Sequence, residues 1–115
     1  MQKNKQLPIK LPTNKGTEFF LPAQIIRLEA SSNYTKIYFT NHLSIITAKV
    51  LKEFEPQLMP FGFVRTHRSH MVNKQYIQEV CSNGSIIMND HSTAEISKRR
   101  KAEVFNILQV LKVRV

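Results

Sequence analysis

Tyr34-Thr35-Lys36-Ile37-Tyr38-Phe39-Thr40 mixes β-branched and aromatic residues with polar ones in alternation. Successive side chains of a strand point to opposite faces, so the stretch predicts a half-buried strand. Working backwards, Ala30-Ser31-Ser32-Asn33 is a small polar turn, and Gln24-Ile25-Ile26-Arg27-Leu28-Glu29 predicts another strand with Ile26 and Leu28 on one face. Thr17-Glu18-Phe19-Phe20-Leu21 is short and β-prone, and Pro22 stops it. Working forwards, Asn41-His42 offers a hairpin turn into Leu43-Ser44-Ile45-Ile46. These segments predict a meander of four short strands.

Two segments depart from this period. From Ala48 to Leu58, the residues Leu51, Phe54 and Leu58 recur at helical spacing, with Thr47 as the expected N-cap and Pro56 and Pro60 keeping the helix short. Phe61-Gly62-Phe63-Val64-Arg65-Thr66 then returns to strand. Tyr76–Val80 and Ser85–Asn89 predict a hairpin about Ser82-Asn83-Gly84, where Asn-Gly suits a tight turn. After an Asn89-Asp90 turn, His91–Ile96 predicts the last strand. Ser97 reads as the N-cap of a closing helix whose stripe Ala102, Phe105, Leu108 and Leu111 predicts core packing. Residues 1–16 carry four lysines, two prolines and one glycine, and are read as a loose basic arm with at most a short edge strand. The expected fold is mostly β, with one short internal helix and a C-terminal helix.

The composition is that of one globular domain: 115 residues, 42% apolar and 22% charged. At this length roughly two thirds of the unfolded surface can be buried, so one core suffices without staples. A single cysteine, Cys81, excludes an internal disulfide framework. No apolar run approaches the ~20 residues that span a bilayer, and the first residues lack the apolar core of a signal peptide. A cytoplasmic protein without membrane contact is expected. Seventeen Lys and Arg against eight Asp and Glu give a net charge of +9. That excess favours encounter with a polyanion, and counterion release makes nucleic acid the natural partner. An anionic membrane would want a basic amphipathic helix or a lipid signal, and neither is found.

The charge is clustered. Arg65-Thr66-His67-Arg68-Ser69-His70-Met71-Val72-Asn73-Lys74 places five basic or imidazole side chains in ten residues, with no acid among them. Lys, Arg, Ser and Thr hold phosphates, while an Arg fork can pair with guanine. Ser97-Lys98-Arg99-Arg100-Lys101 opens the closing helix, and the turn Ser31-Ser32-Asn33 runs into Tyr34-Thr35-Lys36. The chemistry of catalysis is missing. His67, His70 and Cys81 fall short of the four ligands and paired spacing of a structural zinc site, so no metal is expected. The eight acids are scattered, and none of the three glycines builds a phosphate loop. No cofactor and no enzymatic activity are expected.

These residues resemble the LytTR family of DNA-binding domains. Ile26-Arg27-Leu28-Glu29-Ala30-Ser31-Ser32-Asn33-Tyr34-Thr35 is similar to the family's opening segment, and Leu51-Lys52-Glu53-Phe54-Glu55 to its short helix. Phe63-Val64-Arg65-Thr66-His67-Arg68-Ser69-His70-Met71-Val72-Asn73 is similar to its core motif, although His70 stands where the family often has an aromatic or aliphatic residue. Ile77, Glu79-Val80 and Ile96-Ser97-Lys98-Arg99-Arg100 match the closing segments, so the likeness runs from about Glu18 to Val110.

The resemblance implies an elongated set of small antiparallel sheets that inserts loops into successive major grooves of double-stranded DNA. Residues 17–115 would form this domain, following the arm of residues 1–16. Carried over, base contacts fall to Thr35, Arg68 and Arg99. Phosphate contacts fall to Ser31, Asn33, Lys36, Arg65, Ser69, Ser97 and Lys98. Asn73 and Ser69 also suit turn formation. A bacterial, response-regulator-like transcriptional regulator is implied, with a second copy on an adjacent site and a separate regulatory protein as further partners. Two other readings stay open: an RNA or single-strand binder, which would want exposed aromatics in mid-sheet, and a protein-binding module without DNA affinity.

Overall fold

The computed structural model describes residues 8–13 and 15–110. In chain order the strands are β1 (Ile9–Thr13), β2 (Gly16–Phe20), β3 (Ile25–Ser31), β4 (Tyr34–Phe39) and β5 (Ser44–Thr47). The short helix α1 (Glu55–Leu58) follows, set between 3-10 turns at Leu51–Phe54 and Met59–Phe61. Then come β6 (Phe63–His67), β7 (His70–Asn73), β8 (Ile77–Val80), β9 (Ser85–Met88), β10 (Thr93–Glu95) and the closing helix α2 (Lys101–Ile107). They form three antiparallel sheets: a central one of order β5-β4-β3-β7-β6, a three-stranded one of order β10-β9-β8, and the β1-β2 hairpin. The body is flattened and elongated, 53 × 41 × 24 Å.

The central sheet is a wall between two cores. On one side Ile25, Leu28, Ile37, Phe39 and Met71 pack against Ile9 and Leu11 of the first hairpin and against Leu51, Phe54 and Leu58 of the helical segment. On the other side Ile26, Val64 and Val72 meet Ile86, Met88, Ala94, Ile96 and Val104. The mixed helical segment follows from its prolines. Pro56 is tolerated only in the first turn of α1, and Gly62, at φ 92, ends the segment in the left-handed region that suits glycine.

Several expectations need correction. Ile26 and Leu28 do not share a face, because a bulge between Ile25 and Arg27 resets the alternation and sends Ile25 and Leu28 to one core and Ile26 to the other. The meander has three strands, since β2 pairs with β1 in a sheet of its own. The cap of the helical segment is not Thr47, which ends β5; the Glu53 carboxylate instead accepts from the Val50 amide at 3.0 Å. In α2 the inward residues are Val104, Phe105 and Leu108, whereas Ala102 is exposed and Leu111 lies outside the described residues. Ser97 does cap the helical segment, its hydroxyl accepting from the Arg100 amide at 3.3 Å.

The short edge strand that the sequence allows within residues 1–16 is present as β1. β1 pairs along its length with β2, and Ile9 and Leu11 are core residues, with Leu11 wholly buried. Pro12 is accepted because β1 is an edge strand, where a missing amide costs no ladder bond. Residues 1–7 of the expected arm lie outside the described residues. Leu11→Ala is therefore expected to destabilise the fold by about 2–5 kcal/mol, read from urea unfolding. A loose arm would register no more than about 0.5 kcal/mol.

Candidate nucleic-acid interface

Antiparallel pairing decides which turns share an end of the central sheet. β3 ends at Ser31 and β4 begins at Tyr34, so the Ser32-Asn33 turn closes their hairpin there. Its first central residue, Ser32, has a φ of 57, a position where glycine would be easier. Glu29 of β3 faces His70 of β7, so the two-residue Arg68-Ser69 turn between β6 and β7 stands at the same end. The Ser69 carbonyl accepts from the Ala30 amide at 2.9 Å and ties this turn to the first. The basic cluster Arg65–Lys74 is thus mostly a hairpin, with Met71, Val72 and Asn73 buried.

A third group joins through Thr66. A bulge between Arg65 and His67 frees Thr66 from the β6–β7 ladder. Its hydroxyl donates to the Glu95 carbonyl at 2.8 Å, and its carbonyl accepts from the Ser97 amide at 3.0 Å. Lys98 and Arg99 follow at once in a 3-10 turn, both exposed. The three polar clusters therefore lie side by side, linked by main-chain hydrogen bonds.

Most expected site residues are accessible there. Ser31, Asn33, Arg68, Lys98 and Arg99 are exposed, and Ser69 and Ser97 are half-buried. Lys36 is half-buried too, pairs across the ladder with Glu29, and has its amine 5.0 Å above the Tyr38 ring. Two residues are placed otherwise. Thr35 has no exposed surface, and its hydroxyl donates to the Lys49 carbonyl at 2.7 Å, so it cannot meet a base edge in this conformation. Arg65 has a side chain only 12% exposed, and its guanidinium is held by Glu55 and by the carbonyls of His67 and Arg68. Asn73 serves its turn, accepting from the Gln75 amide and donating to the Ile25 carbonyl, both at 3.0 Å.

Lys49 is a further cation at this end, outside the basic clusters of the sequence. Thr35 pairs with Thr47 at the end of β5, which brings the following Lys49 to the same end of the sheet. It stands alone in sequence, and only the hairpin arithmetic of β4 and β5 could have found it.

The family profile of the LytTr DNA-binding domain matches residues 15–109. The chain belongs to the LytTR family. The Sensory transduction protein LytT of Oceanobacillus iheyensis is 34% identical over 76% of this chain and 38% of the relative. The Transcriptional regulatory protein LytR of Staphylococcus aureus strain N315 is 38% identical over 49% of this chain and 22% of the relative. This LytTR chain therefore spans well under half the length of these curated relatives. A solved LytTr DNA-binding domain from Bacillus cereus has the same fold, with a TM-score of 0.75 at 23% identity over 90% of this chain and 97% of that one. Among the described residues, no helix is long and apolar enough to cross a membrane, and no group of three His, Cys, Asp or Glu is placed to hold a metal ion.

Behind its turns this LytTR domain holds a partly buried charge network. Arg27 is 6% exposed, donating to Glu29 and to the Ser92 hydroxyl at 2.9 Å each, with its guanidinium carbon 3.9 Å above the Tyr38 ring. Burial pushes the Glu29 carboxyl up, but the Arg27 hydrogen bond and charge, His70 and Lys36 outweigh it and hold the group below its usual 4.5. His70 packs edge-on to His67 at 5.4 Å between centroids, and its Nδ1 has no hydrogen-bond partner among the described residues. Burial lowers its pKa below the usual 6.5, helped by His67 and Arg27 and opposed by Glu29 and Glu95.

A neutral imidazole that charges only on unfolding binds fewer protons in the native state, so stability falls as pH drops below 6.5. Urea midpoints between about pH 7.5 and pH 5.5 should decline, and His70→Phe should flatten that decline. An unchanged slope in the variant would assign the loss to other groups.

Proposed function

We propose that this LytTR domain binds double-stranded DNA sequence-specifically, setting the turns at one end of its central sheet into the major groove. The carrying observation is the pair of main-chain links, Ala30 to Ser69 and Ser97 to Thr66, that brings the three polar clusters to one end. A two-stranded hairpin fits the width of the major groove, and each turn presents donors there. Arg68 and Arg99 are the base readers. Ser31, Asn33, Lys36, Ser69, Ser97 and Lys98 are the phosphate contacts, with Lys49 beside them. Thr35 and Arg65 support the frame instead.

Charge supports the reading. Among the described residues, the ion pairs join Arg27 to Glu29 and Arg65 to Glu55, and neither includes Arg68, Lys98 or Arg99. The cations on the exposed turns remain free to displace counterions. A single-strand binder would want an open aromatic platform, but Arg27 covers Tyr38 in mid-sheet. The function of the whole protein follows as part of the proposal: a non-enzymatic cytoplasmic regulator of transcription. A second copy on an adjacent site and a separate regulatory protein are its further partners.

Competition binding with duplex DNA, single-stranded DNA and RNA at fixed salt tests the choice of nucleic acid, with duplex expected to win. Arg68→Ala should cost about 1–3 kcal/mol on a preferred duplex and relax base preference, while Lys98→Ala should weaken all duplexes alike and reduce the salt slope by about 1. If Arg68→Ala weakens preferred and scrambled duplexes equally, its base-reading role is wrong.

A further inference from the structure

We infer that Arg65 is a positioning residue: a guanidinium clamp that fixes the β6–β7 turn and thereby aims Arg68. The inference rests on the base-reading role of Arg68 given above. Arg65 stands on β6, three residues before Arg68, and each of its three side-chain nitrogens donates a hydrogen bond. Nε donates to the His67 carbonyl at 2.9 Å and Nη2 to the Arg68 carbonyl at 2.6 Å. Nη1 meets Glu55 Oε2 at 2.5 Å. One planar group thus gathers two carbonyls of the turn and a carboxylate from α1.

Each contact has a consequence at the turn. The Arg68 carbonyl would otherwise present its negative end near an incoming phosphate, and Arg65 neutralises it from beneath. Holding that carbonyl fixes the peptide plane after Arg68, which narrows the directions its exposed side chain can take. Glu55 belongs to a segment anchored by the buried Phe54 and Leu58, so the guanidinium has a rigid backing. Its carboxylate also cancels the Arg65 charge, which leaves this residue a poor contributor to the field that attracts DNA. Lysine could keep the charge but not the fork, because an ammonium on a flexible stem does not span three acceptors in one plane.

The test uses the full chain, a duplex enriched by the wild-type protein from a random pool, and the same duplex scrambled. Arg65→Lys should lose about tenfold affinity for the enriched duplex, on the scale of one misdirected base contact. Its affinity for the scrambled duplex and its salt slope should match wild type. Glu55→Gln should move the same way by less, and it decides the matter if Arg65→Lys does not fold. Hydrogen exchange of the free protein should show faster exchange at Arg68 and Ser69 in both variants. The inference is overturned if Arg65→Lys binds both duplexes like wild type while Arg65→Gln loses about one unit of salt slope, the behaviour of a phosphate ligand. Unchanged exchange at Arg68 and Ser69 overturns it as well. If the pool yields no enriched sequence, the base-reading proposal fails, and the exchange measurement still decides the clamp.

Discussion

The burial of β3 on both faces is the constraint from which the rest of the architecture follows. Ile25 and Leu28 belong to one core and Ile26 to the other, so each face must be covered by separate chain segments. The first hairpin and the helical segment close one side, and the small β8–β10 sheet with α2 closes the other. With β3 pinned at the centre, its neighbours β4 and β7 must both run antiparallel to it. Their adjoining turns then have to emerge at a single end.

Charge is divided along the same lines. Arg27 lies within the wall and Arg65 just beneath a turn, and each is paired with an acid and with neutral acceptors. A buried guanidinium left without partners would be costly, and these contacts supply what water would have given. Because Glu29 and Glu55 are engaged by these two arginines, the exposed arginines of the turns keep their charge. The exposed Arg68, Lys98 and Arg99 thus stand where the proposed DNA contacts lie.

Much of this was legible in the sequence. Alternation at Tyr34–Thr40 marks β4, the Ser31-Ser32-Asn33 turn is visible from its polarity, and the family motif at Phe63–Asn73 singles out the segment that carries Arg68, although β7 is not read from the sequence. What escaped depends on tertiary relations. The bulge at Ile26 breaks the period that assigned a face to it, and no local signal announces one extra residue in a ladder. β1 is legible only as a short edge strand, because its two buried side chains matter only once a core exists to receive them. Thr35 and Arg65 have the right chemistry for a polyanion, yet the first is buried and the second is engaged by three acceptors. Residue type reveals capacity, whereas burial and partners decide its use.

The main-chain joints between the turns bear on how such a domain can change. The bond from the Ala30 amide to the Ser69 carbonyl, and that from the Ser97 amide to the Thr66 carbonyl, use no side-chain atom. Replacement of an exposed side chain at position 68 or 99 leaves both joints in place. The distance between the two proposed base readers is therefore inherited from the backbone, while the bases they would favour can drift. Under that proposal the domain is a ruler of fixed length whose marks can be rewritten one at a time.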